Sequence, residues 1–222
     1  MASCNSGQEE RREVFDTFAD FLKPFVNGRR LELLEILAQG ESSVDRLSQL
    51  SGMAITTTSN NLQRLKEAGL VNTRRQGTRI FYRLSGDDVL ELFIAAKKVA
   101  LRHSPTLASS LSHYLDSPDV SGPTIPIESV SVDTVILDVR PHDEYRTAHF
   151  RGAINIPMNE LEERIAELPT DAPIAIYCRG ELCRLSREAA AYLRDKGLDA
   201  SAVEYGVSEW LVSKEIHLES AH

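Results

Sequence analysis

Residues 174–193 read IAIYCRGELCRLSREAAAYL, and the interpretation of the chain turns on them. The first four residues are an unbroken apolar run, the mark of a strand covered on both faces. Cys178 stands at its end. A tight loop with one glycine and the arginines Arg179 and Arg184 follows, and then an amphipathic helix. A cysteine at a strand end, facing a helix N-terminus, sits where backbone N–H groups converge on an anion. With two guanidinium groups nearby, that field favours thiolate over thiol and makes Cys178 a candidate nucleophile rather than core filler.

The totals bound what surrounds this loop. A chain of 222 residues accommodates one large or two small domains, and 42% hydrophobic with 26% charged residues is ordinary globular composition. No apolar run approaches the roughly 20 residues of a membrane span. The stretch from Val89 to Leu101 is broken by Glu91, Lys97 and Lys98, and the opening MASCNSGQEERREVF lacks a signal peptide's apolar core. The expectation is a cytoplasmic protein with no membrane partner. Three cysteines in a reducing compartment argue against a disulfide framework.

Charge divides the chain. Residues 1–105 carry 15 Lys+Arg against 13 Asp+Glu, whereas residues 106–222 carry 10 against 20. Any affinity for nucleic acid belongs to the first half, because phosphate repels the second. The stretch 104–126 holds Pro105, Pro118, Pro123 and Pro126 among serines, with Leu107, Leu111 and Leu115 spaced as a short helix. We expect a first domain over 1–103, a short helix and linker over 104–123, and a second domain over 124–222.

Helical spacing dominates the first domain. One stripe is Val14, Phe15, Phe18, Phe21 and Leu22, and another is Leu31, Leu33, Leu34, Ile36 and Leu37. Helices follow over about 44–51 and 55–68, then a hairpin turning at Gln76-Gly77, then a helix over about 87–101. In the second domain strands and helices alternate, with strands at 135–138, near 154, at 174–178 and at 201–204, and helices from 142 and over about 159–167, 184–196 and 206–213. That alternation implies a parallel sheet flanked by helices. The fold class expected is α/β multidomain, with a mainly-α winged helix-turn-helix unit followed by an α/β unit.

Helix, tight turn, helix and basic hairpin form the winged helix-turn-helix pattern. The segment GMAITTTSNNLQRLKEAGLVNTRRQGTRIFYRL, residues 52–84, resembles the ArsR family of small dimeric repressors. The resemblance runs over about residues 10–102 and is most specific from LKEAGLV to the wing residues Arg75, Gly77, Tyr82 and Leu84. Thr56, Thr57, Ser59, Asn60 and Gln63 are short polar groups on a helix that can enter a major groove. Arg74, Arg75 and Arg79 on the hairpin can hold flanking phosphates or a minor groove. The resemblance implies double-stranded operator DNA as partner and a homodimer formed by the first and last helices, here through Val14, Phe18, Leu22, Leu90, Phe93, Ile94 and Val99, although an apolar stripe is usually core and only part of each need be interface. Many relatives sense metals, but the helix before the turn has no cysteine and Cys4 stands alone in the N-terminal stretch. Neither a metal site nor a cofactor is expected.

Residues 124–218 resemble a single rhodanese domain. The matching stretches are LDVRP (137–141), Glu144-Tyr145, HFRGAINIP (149–157), the Cys178 loop and GVSEW (206–210). In that fold the loop cysteine carries a sulfane sulfur as a persulfide. The resemblance implies that amides from Arg179 through Gly180 to Arg184 stabilise the anion, while Asp138 and Arg140 brace the loop. Cys183 either resolves a persulfide or oxidised Cys178, or is a small buried hydrophobe. His142 and His149 read as exposed or structural groups. The loop also reads as C-x5-R from Cys178 to Arg184, the oxyanion-gripping pattern of cysteine phosphatases and of arsenate reductases built on the same fold. Besides a plain DNA-binding repressor whose second domain is inert and used for partner contacts, two functions stay open at this point. One is a repressor that senses reactive sulfur or oxidant through Cys178, with the sulfane sulfur donor or oxidant as effector. The other is an enzyme, a thiosulfate or persulfide sulfurtransferase or an arsenate reductase, with an autoregulatory DNA-binding domain.

Overall fold

The computed structural model describes residues 3–118 and 120–221, with side chains from Gly7 onward. Cys4 falls in a helix, but its side chain lies outside the described residues. The chain divides into two units, one of Met1–Leu37 and Glu41–Val89, the other of Ala38–Gly40 and Leu90–His222.

The first unit is a winged helix. It holds α1 (Ser3–Leu22), α2 (Gly28–Leu37), β1 (Ser42–Ser43), α3 (Val44–Ser51), α4 (Ile55–Glu67), β2 (Val71–Gln76) and β3 (Arg79–Leu84), with the start of α5 (Asp87–His103). The apolar spacing of α2 sends Leu33, Leu34 and Leu37 onto one core with Leu47 of α3 and Leu62 and Leu65 of α4. Ser43 caps α3, its Oγ accepting from the Arg46 amide at 3.3 Å. Gly52 ends the helix at φ 65°, a left-handed conformation that glycine adopts without steric cost and that opens the turn into α4. Two features differ from the sequence reading. Gln76 still pairs with Arg79, so the turn residues are Gly77 and Thr78, one position on. The wing also gains a third strand, because β1 pairs antiparallel with β3. Two residues are too few to show a period-two signal.

The second unit continues α5 and adds α6 (Pro105–Leu115), β4 (Thr124–Ile125), β5 (Val135–Asp138), α7 (His142–Thr147), β6 (His149–Phe150), β7 (Ile154–Asn155), α8 (Leu161–Arg164), β8 (Ile174–Tyr177), α9 (Leu185–Asp195), β9 (Ala200–Val203), α10 (Val207–Ser213) and β10 (Leu218–Glu219). Among the described residues a five-stranded sheet runs in the order β4-β9-β8-β5-β7, with every pairing parallel. β8 is central and buried throughout. Its alternate residues serve opposite faces. Ile174 and Ile176 pack with Leu137, Ala189 and Leu193, while Ala175 and Tyr177 pack with Val207 and Trp210. The period carries Cys178 to the first of these faces, the side of α9. The helix expected over about 159–167 is shorter, a single turn of α8 followed by a 3-10 turn over Ile165–Glu167. β6 and β10 pair antiparallel outside the main sheet. Among the described residues no helix is long and apolar enough to cross a membrane.

Candidate functional site

Cys178 leaves the end of β8 with 3% of its surface exposed. Its Sγ lies 3.3 Å from the Ser186 Oγ and 3.3 Å from the carbonyl oxygen of Cys183. Burial opposes a thiolate here. Hydrogen bonds from the Cys183 thiol, from the Ser186 hydroxyl and amide and from the Gly180 amide outweigh that penalty, so the Cys178 pKa falls below that of an ordinary thiol. The same contact works the other way on Cys183. Donating to Cys178, and half-buried itself, Cys183 holds its proton well above the ordinary range. The two thiols are thus shifted to opposite sides of the ordinary range, and they flank one turn closed by the Cys183 amide on the Gly180 carbonyl at 2.9 Å.

Long-range contacts fix the loop's backbone. The carbonyls of Cys178 and Arg179 accept from the amides of Val207 and Ser208 at 3.3 and 2.8 Å. A Cβ on Gly206 would lie 2.3 Å from the Cys178 carbonyl oxygen and 2.6 Å from the Gly180 nitrogen, so this approach admits glycine alone. Glu209 reaches back to the Gly206 amide at 3.1 Å and also accepts from the Glu181 amide at 3.4 Å. Its carboxylate holds the buried ammonium of Lys97 on α5, which lies 3.2 Å from Glu181 as well. Burial acts against the Lys97 charge, but the two carboxylates outweigh it and raise its pKa.

The expected arginines divide by role. Arg140 and Asp138 are fully buried and paired, with Nη2 donating to Oδ2 at 2.6 Å and Nε to Oδ1 at 3.1 Å. Arg140 also donates to the Ala148 carbonyl at 2.7 Å and to Gln39 at 2.8 Å. Asp138 pairs in the sheet with Tyr177, the residue before Cys178, so this ion pair underlies the loop. Arg179 makes a two-pronged contact with Glu144 at 2.6 and 2.9 Å. Burial opposes its charge, and Glu144, with the loop sulfurs, more than restores it. Arg184 is engaged by Glu188 at 3.2 Å and lies 5.1 Å over the Tyr114 ring. Gly180 faces Glu209, where a Cβ would stand 2.7 Å from a carboxylate oxygen.

His142 is bonded to Asn155 and, at 3.0 Å, to Glu160. His149 is buried against the Tyr145 ring, with centroids 3.9 Å apart. Among the described residues no group of three or more His, Cys, Asp or Glu side chains gathers as metal ligands would.

In the winged unit, Thr56, Thr57, Ser59, Asn60 and Gln63 are exposed along α4, while Thr58, Leu62 and Leu65 turn inward. Arg74, Arg75 and Arg79 are exposed on the wing. Arg74 is less available than its neighbours. It pairs with Glu41 at 2.7 Å and stacks 4.7 Å over Phe81, while Arg75 donates to the Gly77 carbonyl at 3.0 Å. Of the stripe expected at a dimer contact, Val14, Phe18 and Val99 are exposed, whereas Leu90 and Phe93 are buried within the chain.

Four side chains were not expected at the loop: Ser186, Lys97, and Glu144 and Glu209, the last two of which fall within the stretches that carry the rhodanese resemblance. Ser186 had a signal, as a polar residue on the inward face of α9. Glu209 had one too, three residues after the glycine that opens a helix. Glu144 and Lys97 are distant in sequence from the loop and ordinary on their own helices.

The sequence matches two family descriptions, "Bacterial regulatory protein, arsR family" over residues 27–73 and "Rhodanese-like domain" over residues 126–213. It is 40% identical over 208 residues to the HTH-type transcriptional regulator Rv0324 of Mycobacterium tuberculosis, covering 92% of each chain. It is 40% identical over 84 residues to the HTH-type transcriptional regulator KmtR of the same organism, covering 38% of this chain and 59% of that one. The homodimeric winged helix-turn-helix DNA-binding domain of Mb0332 from Mycobacterium bovis is 46% identical, covering 42% of this chain and 87% of that one with a TM-score of 0.40.

Proposed function

The chain belongs to the ArsR-type helix-turn-helix transcriptional regulators that carry a rhodanese-like domain, and from that premise we propose that it is a homodimeric repressor whose operator binding is set by sulfur chemistry at Cys178. The observation that carries this reading is the Cys178–Cys183 pair. A buried cysteine whose pKa lies below that of an ordinary thiol shares one tight turn with a second cysteine, in a chain that also presents an exposed helix of short polar side chains.

The chemistry follows from that pair. The Cys178 thiolate attacks the outer sulfur of a hydropersulfide or polysulfide, expels the remaining thiolate and keeps the sulfur as a persulfide. Cys183 then attacks the inner sulfur, the S–S bond breaks, hydrosulfide leaves and a Cys178–Cys183 disulfide remains. An oxidant reaches the same disulfide through a sulfenic acid on Cys178, with water leaving. Either route ties Cys178 to Cys183 and so reshapes the turn that places Glu181. Glu181 and Glu209 hold Lys97 on α5, and α5 runs without a break from Asp87 in the first unit. Loop chemistry that moves Glu181 therefore bears on Lys97 and, through it, on α5. A useful response requires a differential of a few kcal/mol between DNA-binding and released states, roughly the usual scale of allosteric coupling.

DNA contacts are assigned to Thr56, Thr57, Ser59, Asn60 and Gln63 for base edges and to Arg75 and Arg79 for phosphates. The apolar stripe Val14, Phe15, Phe18 and Phe21 of α1, at least 43% exposed at each position, supports pairing with a second copy. The test is fluorescence anisotropy of the purified protein on its own upstream DNA, before and after polysulfide and again after reductant. Binding that is lost and then restored supports the reading. Binding indifferent to polysulfide and to oxidant overturns it.

A further inference from the structure

A half-open cavity of about 430 Å³ lies beside the loop, a volume in the range of small-molecule sites. Cys183, Ser186, Arg187, Asp116, Glu204 and Tyr205 are among the residues that line it. Cys183 borders this space, whereas Cys178 does not and is almost fully buried. We propose that this cavity is the docking site of the thiol that resets the loop, a small thiol carrying an ammonium group, and that it attacks Cys183. The proposal rests on the reading that Cys178 and Cys183 join in a disulfide.

Three observations support it. Access comes first, since Cys183 borders the cavity and is only half-buried, while Cys178 does not border it and is almost fully buried. Leaving-group chemistry agrees. Exchange is faster when the departing sulfur is the better-stabilised thiolate, and Cys178 is the sulfur held by the Ser186 hydroxyl and by loop amides. Charge selects the reagent. Arg187 lies 3.5 Å from Asp116 and offsets it, and Glu181 is offset by Lys97. Glu204 is exposed at the rim with its charge uncompensated by any ion pair among the described residues. Tyr205 registers the resulting field. Burial and then the carboxylates of Glu181, Glu204 and Glu209 raise its phenol pKa.

The reaction balances as two exchanges. The incoming thiolate bonds to the Cys183 sulfur, the Cys178–Cys183 bond breaks, and Cys178 departs as thiolate. A second thiolate attacks the small thiol's sulfur in the mixed disulfide, releasing the small disulfide and the Cys183 thiolate, which takes up a proton. Two small thiols are oxidised and the protein disulfide is reduced.

The test uses the full chain oxidised with diamide and then treated with cysteamine, mercaptoethanol or mercaptopropionate at equal thiolate concentration. Acid quenching and peptide mass mapping locate the mixed disulfide, and each rate is divided by that thiol's rate with a neutral small disulfide. The expected result is a mixed disulfide on Cys183 and a cysteamine rate about tenfold above that of mercaptopropionate. In Glu204→Gln the ratio should fall by about threefold with the mercaptoethanol rate unchanged. A mixed disulfide on Cys178, equal normalised rates, or a ratio untouched by Glu204→Gln overturns the proposal. None of these results bears on loss of operator binding after polysulfide, which tests the sensing reading separately. Failure of diamide to join the two cysteines overturns both this proposal and the resolving role of Cys183.

Discussion

The recognition helix and the Cys178 loop place their chemistry in opposite ways. Along α4 the polar groups Thr56, Thr57, Ser59, Asn60 and Gln63 face outward, and they need from the fold little more than a rigid helix beneath them. The loop hides the Cys178 sulfur at 3% exposure and depends on Ser186, Glu144, Gly206 and Glu209, up to 35 residues away. A surface that reads DNA works by display. A buried thiolate works by enclosure, because its hydrogen bonds matter most where water is excluded. Substitutions in the first region should therefore change binding and leave stability alone, while substitutions in the second should couple stability to reactivity.

The largest effect expected is at the ion pair beneath the loop. Arg140→Ala leaves Asp138 buried without its partner and should cost about 3–5 kcal/mol in thermal or urea unfolding, whereas Arg79→Ala on the wing should fall within about 0.5 kcal/mol. Comparable losses for the two would break the contrast. Gly206→Ala comes next. Its new Cβ meets loop backbone at 2.3 Å, and the forced shift should cost about 1–3 kcal/mol, with a matching drop in melting temperature.

Substitutions on the displayed surface act on DNA instead. Asn60→Ala should weaken specific operator binding by about 1–3 kcal/mol, and Arg79→Ala should lower the salt dependence of binding by about one phosphate contact. Both should leave the rate of Cys178 alkylation unchanged. A change in that rate would show that the two regions are not separable in this way.

The smallest effect expected is at Ser186. Ser186→Ala removes a hydrogen bond that favours the thiolate, so the Cys178 alkylation profile should move to higher pH and the rate at neutral pH should fall roughly threefold. Stability has a defined sign as well. The lowered Cys178 pKa contributes stability above the ordinary thiol value, and this is lost as pH falls through the folded pKa. The raised Cys183 pKa works oppositely, favouring the folded state below the ordinary thiol value and costing stability above it. The pair's contribution to stability should therefore rise toward that value and fall beyond it, and the difference between wild type and Ser186→Ala should lie on the rising limb.

Much of this was legible in the sequence because it is local. The run Ile174 to Tyr177 announced a doubly covered strand, and alternation with helices announced a parallel sheet. Gly52 and Gly69 bracketed the recognition helix, and the outward residues of α4 follow from its 3.6-residue period. What stayed hidden was non-local. Lys97 reads as one charge interrupting an apolar helix, and nothing near it in the chain indicates that Glu181 and Glu209 will enclose it. Arg74 reads as a free wing cation, and nothing near it in the chain indicates that Glu41, 33 residues earlier, will pair with it. Leu90 and Phe93 read as a dimer stripe, yet both are buried within the chain. Two-residue strands such as β1 and β6 carry no periodicity to detect.

The most direct test compares wild type with Cys178→Ser by anisotropy on the protein's own upstream DNA, with and without polysulfide. The account predicts that both bind equally well untreated, that polysulfide releases wild type, and that the variant stays bound. A Cys178→Ser protein that releases DNA as wild type does would contradict the account, because the responsive group would then lie outside the Cys178 loop.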